Sequence, residues 1–146
     1  VSSRRPASTA LVAAGLAAFA VVATGCSRPT PLVSLYSGKT TVSSTAIGRY
    51  CVGDSQTQCA THTAAVPTLK VATGSSIGID VPKSVAEQGW VLTDQSGSPL
   101  VQKIYKQHYV GLSGISLQGP TVLQVVKLSK DGQTPLGAWR FTLIPS

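Results

Sequence analysis

The chain has 146 residues, with 12 Lys and Arg against 5 Asp and Glu and 42% hydrophobic residues. With an N-terminal leader set aside, that length allows one domain with its own core and excludes two ordinary ones. The formal charge of +7 falls to +5 when Arg4 and Arg5 leave with the leader; outside the cytoplasm such an excess points to anionic headgroups or acidic wall polymers and not to nucleic acid, and it equally suits a basic surface that only keeps the domain soluble.

Arg4 and Arg5 make a basic n-region, and Leu11 to Val22 an apolar, alanine-rich run of signal-peptide length. The run is well short of the ~20 residues a bilayer-spanning helix needs. It ends in Val21-Val22-Ala23-Thr24-Gly25-Cys26, which reads as a lipobox: small residues fit the peptidase that cuts before a diacylglycerylated cysteine. Residues 1–25 are therefore expected to be a lipoprotein signal peptide, Cys26 the lipidated N-terminus, 26–31 a short tether and 32–146 the folded domain. The expected location is the cell membrane, lipid-anchored on its extracytoplasmic face. Ala23 departs from the branched residue usual at its position. Ala23-x-Gly25 also satisfies the general signal peptidase, which would leave Cys26 unmodified. A twin-arginine signal fits poorly, because Pro6, Ala7 and Ser8 follow the arginine pair.

Downstream the pattern is short strands between turns. Leu32 to Tyr36 and Lys39 to Ser43 flank Ser37-Gly38 as a first hairpin, and Ala46 to Cys51 forms the next strand. Ala60 to Thr68 is rich in Thr, Ala and Pro and reads as a loop. Leu69 to Ala72 and Ser76 to Val81 follow as strands, the second with Ile77, Ile79 and Val81 alternating against Gly78 and Asp80. Pro82 to Gly89 holds either a turn of helix around Ser84 to Gln88 or a loop. Gly89 to Asp94 is a strand with Trp90 and Leu92 on one face, Ser96-Gly97-Ser98-Pro99 a turn, and Leu100 to Tyr105 the next strand. After the glycine-containing Val110 to Gly114, Ile115 to Leu117 reads as a short strand. Thr121 to Leu128 and Leu136 to Ile144 close the chain as a hairpin around Ser129-Lys130-Asp131-Gly132, where Asp-Gly is the cue. Eight or nine strands at about ten-residue spacing, with no helices to cover a parallel sheet, predict an all-β, antiparallel immunoglobulin-like β-sandwich. Trp90 and Trp139 are its expected core anchors, and Phe141 and Leu143 share the face of Trp139.

Setting Cys26 aside for the lipid leaves two of three cysteines, Cys51 and Cys59, around a polar segment with a Gly-Asp turn signal. An oxidising compartment favours a disulfide between them. The competing use of these residues is a metal site, since Cys59-Ala60-Thr61-His62 has the spacing of a ligand pair. A disulfide would consume Cys59, His108 lies far off, and a blue-copper site would want an upstream histidine and a methionine. No metal and no cofactor is expected.

Catalytic patterns are scarce. The five acids are scattered, there is no Gly-x-Ser-x-Gly elbow and no phosphate-cradling loop, so no enzyme is expected. Lys103, Tyr105, Lys106, His108 and Tyr109 interleave basic and aromatic residues, which could dock an anionic glycan, a lipid headgroup or a protein partner. A solvated edge strand carrying protective lysines explains the same residues.

The lipobox leader, the Tyr50-Cys51 to Cys59 loop, the Pro82 to Trp90 segment and the Lys130-Asp131-Gly132 to Trp139 hairpin together resemble an uncharacterised family of small actinobacterial lipoproteins with an immunoglobulin-like domain. The resemblance covers most of the mature chain. It implies a sandwich on a membrane anchor and, because the family has no assigned activity, transfers no functional residue. The resulting expectation is a non-catalytic envelope module that binds or scaffolds an envelope protein, an anionic lipid or a wall polymer; the alternative is a carrier of a small ligand or lipid, which would need an apolar cavity.

Overall fold

Alternation of apolar and polar residues drives most of the chain into strands, and the apolar face of each strand ends up in one shared core. The computed structural model describes residues 28–146; the leader, the lipobox and Cys26 lie outside the described residues. Ten strands and one short helix follow in the order β1 (Val33–Ser37), β2 (Thr40–Ser44), β3 (Gly48–Cys51), β4 (Cys59–His62), β5 (Thr68–Val71), β6 (Ser75–Asp80), α1 (Lys83–Ala86), β7 (Trp90–Thr93), β8 (Tyr109–Ile115), β9 (Thr121–Leu128) and β10 (Pro135–Pro145). The protein is all-β.

Two four-stranded sheets have the orders β2-β1-β6-β8 and β5-β10-β9-β7, and β3-β4 forms a separate hairpin. Pairing is antiparallel except between β5 and β10, which run parallel in register Thr142↔Thr68 to Pro145↔Val71. Val33, Leu35, Ile77 and Ile79 from one sheet and Leu69, Trp90, Leu92, Leu123, Val125, Trp139 and Phe141 from the other are buried in the same cluster. Each such side chain contributes roughly 1.5–3 kcal/mol by leaving water. Both tryptophans are core anchors, as expected, and both indole N–H groups find carbonyls: Trp90 Nε1 donates to Gln107 O at 3.0 Å and Trp139 Nε1 to Pro31 O at 2.8 Å. The second bond, with the Ala46 amide donating to Thr30 Oγ1 at 2.8 Å, stitches the first described residues to the domain.

Three expected elements are corrected. The stretch read as a loop from Ala60 to Thr68 begins with β4, whose polar residues are held in a hairpin by Cys59 rather than by burying a face. Leu100 to Tyr105 is no strand: it runs along the outer edge of β7, and its backbone pairs there only at the isolated bridges Thr93↔Pro99, just before it, and Trp90↔Tyr105. The glycine-containing stretch from Val110 is one continuous strand, β8, with an extra residue where the register to β6 shifts between Ser75 and Ile77. Gly114, at φ +68°, takes up that bulge.

Candidate functional site

Strand β9 turns Leu123, Val125 and Lys127 to the same side, because residues two apart share a face. The first two are core; the third is a lysine that is only 1% exposed. Its aliphatic stem continues the apolar stripe, and its ammonium donates to Cys51 O and Gly53 O, both at 2.9 Å. It also lies 5.1 Å from the centre of the Tyr50 ring, within cation–π reach. Burial pushes the Lys127 pKa below its ordinary 10.5, and the Asp54 carboxylate works against that shift. Burial likewise raises the Tyr50 phenol above 10.0.

Around this cation the β3-β4 hairpin closes as a clasp. Cys51 stands opposite Cys59 in the ladder, with Cα atoms 4.0 Å apart, and the two form the expected disulfide. Linking residues so close in sequence contributes about 2.5 kcal/mol in the chain-entropy treatment. The hairpin docks on β10 through Tyr50, edge-on to Trp139 at 5.8 Å, and through the Ile47 amide, which donates to Ala138 O at 2.8 Å. A β-carbon at Gly137 would sit 2.5 Å from the Tyr50 ring, so only glycine lets that ring approach β10. A half-open hollow of about 430 Å³ remains between the hairpin, α1 and the first described residues, lined among others by Arg28, Pro31, Tyr50, His62, Gln88 and Lys127.

Cys59 and His62 do not act as a ligand pair, because the sulfur of Cys59 is bonded to Cys51 while His62 packs edge-on against Tyr50 at 6.2 Å. Among the described residues no three His, Cys, Asp or Glu side chains are grouped to hold a metal ion. His108 places Nδ1 3.3 Å from Val81 O.

The expected basic and aromatic patch is divided. Tyr105 is buried, stacked on Trp90 at 4.8 Å, and offers no surface to a partner. Lys103 lies over its outer face at 5.2 Å. Tyr109 is exposed but folds its ring across Gly78, where a β-carbon would collide with its hydroxyl. It shields the glycine backbone of β6 on the outer face. His108 and Tyr109 thus sit with β6 and β8, apart from Lys103 and Lys106.

Those two lysines gain a neighbour that sequence spacing does not announce. Lys103, Ile104 and Lys106 share a cleft of about 390 Å³ with Lys130, Asp131 and Gly132 from the β9–β10 turn. Gly132, at φ +74°, makes the convergence steric: a β-carbon there would lie 2.8 Å from Ile104 Cδ1. Asp54 anchors the turn from the other side, accepting the Lys130 amide at 2.6 Å. Asp131 accepts from Ser129 Oγ and from the Gln133 amide, which holds its carboxyl below the usual range. Gln88 lines both this cleft and the hollow beside Lys127, so the lysines and the chain entry at Arg28 occupy the same end of the molecule.

At the opposite end of β9, an apolar groove of about 560 Å³ opens beside β8, lined by Ile77, Leu100, Val101, Leu112, Ile115 and Leu123 among others. No protein-family model, no curated protein and no solved structure matches the chain significantly.

Proposed function

We propose that the protein is a lipid-anchored, non-catalytic module of the cell envelope, an immunoglobulin-like sandwich of the actinobacterial lipoprotein family it resembles, whose anchored end engages anionic headgroups. The observation that carries this is the position of Lys103, Lys106 and Lys130 at the end where the chain enters the domain. Cys26 precedes Arg28 by two residues, a reach of roughly 7 Å. Acylation there would press this end onto the bilayer, where each lysine near an anionic surface adds about 1 kcal/mol. Ile104, 47% exposed between the lysines, offers apolar surface at the same depth.

The carrier alternative needs an enclosed apolar cavity. The buried side chains of both sheets pack into one hydrophobic cluster, and the apolar groove beside β8 is open to solvent. Among the described residues neither histidine hydrogen-bonds to a serine or a carboxylate, the arrangement a hydrolase would use.

Two measurements test the proposal. Mass spectrometry of the mature protein should find Cys26 as an acylated N-terminus; an unmodified Cys26 would remove the anchor. Sedimentation of the Cys26→Ala form with vesicles should show binding to phosphatidylglycerol membranes that weakens with salt and is absent on phosphatidylcholine. Combined Lys103→Gln, Lys106→Gln and Lys130→Gln substitution should abolish it, and unchanged binding would exclude the cleft.

A further inference from the structure

Each four-stranded sheet has two edges, and among the described residues three of these four are guarded. Strand β7 is covered by the segment from Pro99 to Tyr105: Leu100 N donates to Leu92 O at 2.9 Å, and Trp90 and Tyr105 exchange both backbone bonds at 3.0 and 2.8 Å. Strand β5 carries an exposed lysine, Lys70, in its middle. Strand β2 begins beside Lys39 and packs close to β5 where the two sheets meet. Charge and cover of this kind keep sheet edges from recruiting further strands.

Strand β8 has neither. Its seven residues, Tyr109-Val110-Gly111-Leu112-Ser113-Gly114-Ile115, contain no charge and no proline, and among the described residues its only strand partner is β6. The Val81 amide donates to His108 O at 2.8 Å, which fixes the phase of the ladder. By alternation the backbone groups of Val110 and Leu112 face β6, and those of Tyr109, Gly111 and Ser113 face outward, where no described strand pairs with them. Directly inside that edge lies the apolar groove, and among the described residues no Lys, Arg, Asp or Glu lines it.

We propose that β8 is a docking edge that accepts an extended, uncharged peptide segment of a partner protein by strand addition, with every second side chain of the segment entering the groove. Outward N–H and C=O groups call for another strand, and a groove of Leu, Ile and Val side chains calls for apolar residues in alternation. A second copy of this chain is the weaker occupant on two grounds. A strip one strand wide along β8 offers roughly 200 to 300 Å², far below the ~800 Å² per partner of a stable dimer. The excess of positive charge, +5 once Arg4 and Arg5 are set aside, also sets two copies against each other. The inference is independent of the lipid anchor and of the lysine cleft, which lies at the other end of the molecule.

The test uses the mature chain with Cys26→Ala and a fluorescent, end-blocked peptide of alternating Thr and Val. Saturable binding by fluorescence anisotropy is expected. A peptide N-methylated at the amides that would face β8 should bind at least about tenfold more weakly, as should Gly111→Pro, which removes an outward N–H, and Val101→Asp, which puts a carboxylate at the lip of the groove. Val101 is exposed, so that variant should keep the unfolding midpoint of the parent and reports on the groove even if Gly111→Pro does not fold. Absence of peptide binding, or equal affinity for the N-methylated peptide, would overturn strand addition. A concentration-dependent dimer in sedimentation that Gly111→Pro abolishes would assign the edge to a second copy and overturn the peptide as its occupant.

Discussion

The two ends of β9 expose one stripe of side chains to opposite treatments. At the Lys127 end the space between the sheets is closed by a buried cation, two carbonyls and a cross-linked hairpin. At the Thr121 end it is left ajar, with Leu123 in the wall of an open apolar groove. A strand can therefore finish its apolar stripe either by spending polar chemistry to seal the core or by leaving the core accessible from the side. The sealed end should tolerate little change, and the open end much.

The largest contrast is expected at Lys127. Lys127→Ala removes a buried four-carbon stem and leaves the carbonyls of Cys51 and Gly53 without donors, and should lower stability by about 3 kcal/mol in urea unfolding. Lys127→Met keeps most of the volume and should lose only about half as much. If both variants matched the parent, the sealed end would owe nothing to its cation. Replacing Cys51 and Cys59 together by serine should cost about 2.5 kcal/mol. A loss below about 1 kcal/mol would mean that Tyr50 and the Ile47 bond hold the hairpin without the cross-link.

A smaller effect of definite sign separates the groups inside the clasp. The folded-state pKa of Lys127 is depressed, so between that value and the ordinary 10.5 the unfolded chain binds the extra proton and stability rises with pH. Tyr50 is raised above 10.0, so above that pH the unfolded chain loses its proton first and stability falls. Subtracting the alkaline stability profile of Lys127→Met from that of the parent should leave a curve that climbs with pH; a flat difference would show that the ammonium is fully solvated. The smallest change belongs to the open end: Leu100→Ser, at a side chain 48% exposed, should stay within about 0.5 kcal/mol of the parent in the same unfolding assay.

The hairpins β1–β2 and β9–β10 and the strands β6 and β7 were legible because alternation and turn residues are local signals. The Cys51–Cys59 pairing was legible from spacing and cysteine count. Strand β4 is not, since Cys-Ala-Thr-His buries no face; it pairs with β3 in a ladder that the disulfide closes. Leu100 to Tyr105 has the composition of a strand, but Leu100 and Ile104 are half exposed and only Tyr105 reaches the core. Lys127 left one trace, a lysine where Leu123 and Val125 set an apolar alternation. Nothing local connects Lys103 and Lys106 to Lys130, which meet through Ile104 and Gly132, nor the parallel alignment of β5 with β10; both are products of tertiary structure.

The bonds at Thr30 and Pro31 also give the domain a mechanical character. Tension entering from the N-terminal side loads the Ala46 amide and the Trp139 indole before it reaches β1. The indole is buried in the core, so those two bonds should serve as a strain relief, with β1 expected to unzip from β2 and β6 only after both have ruptured.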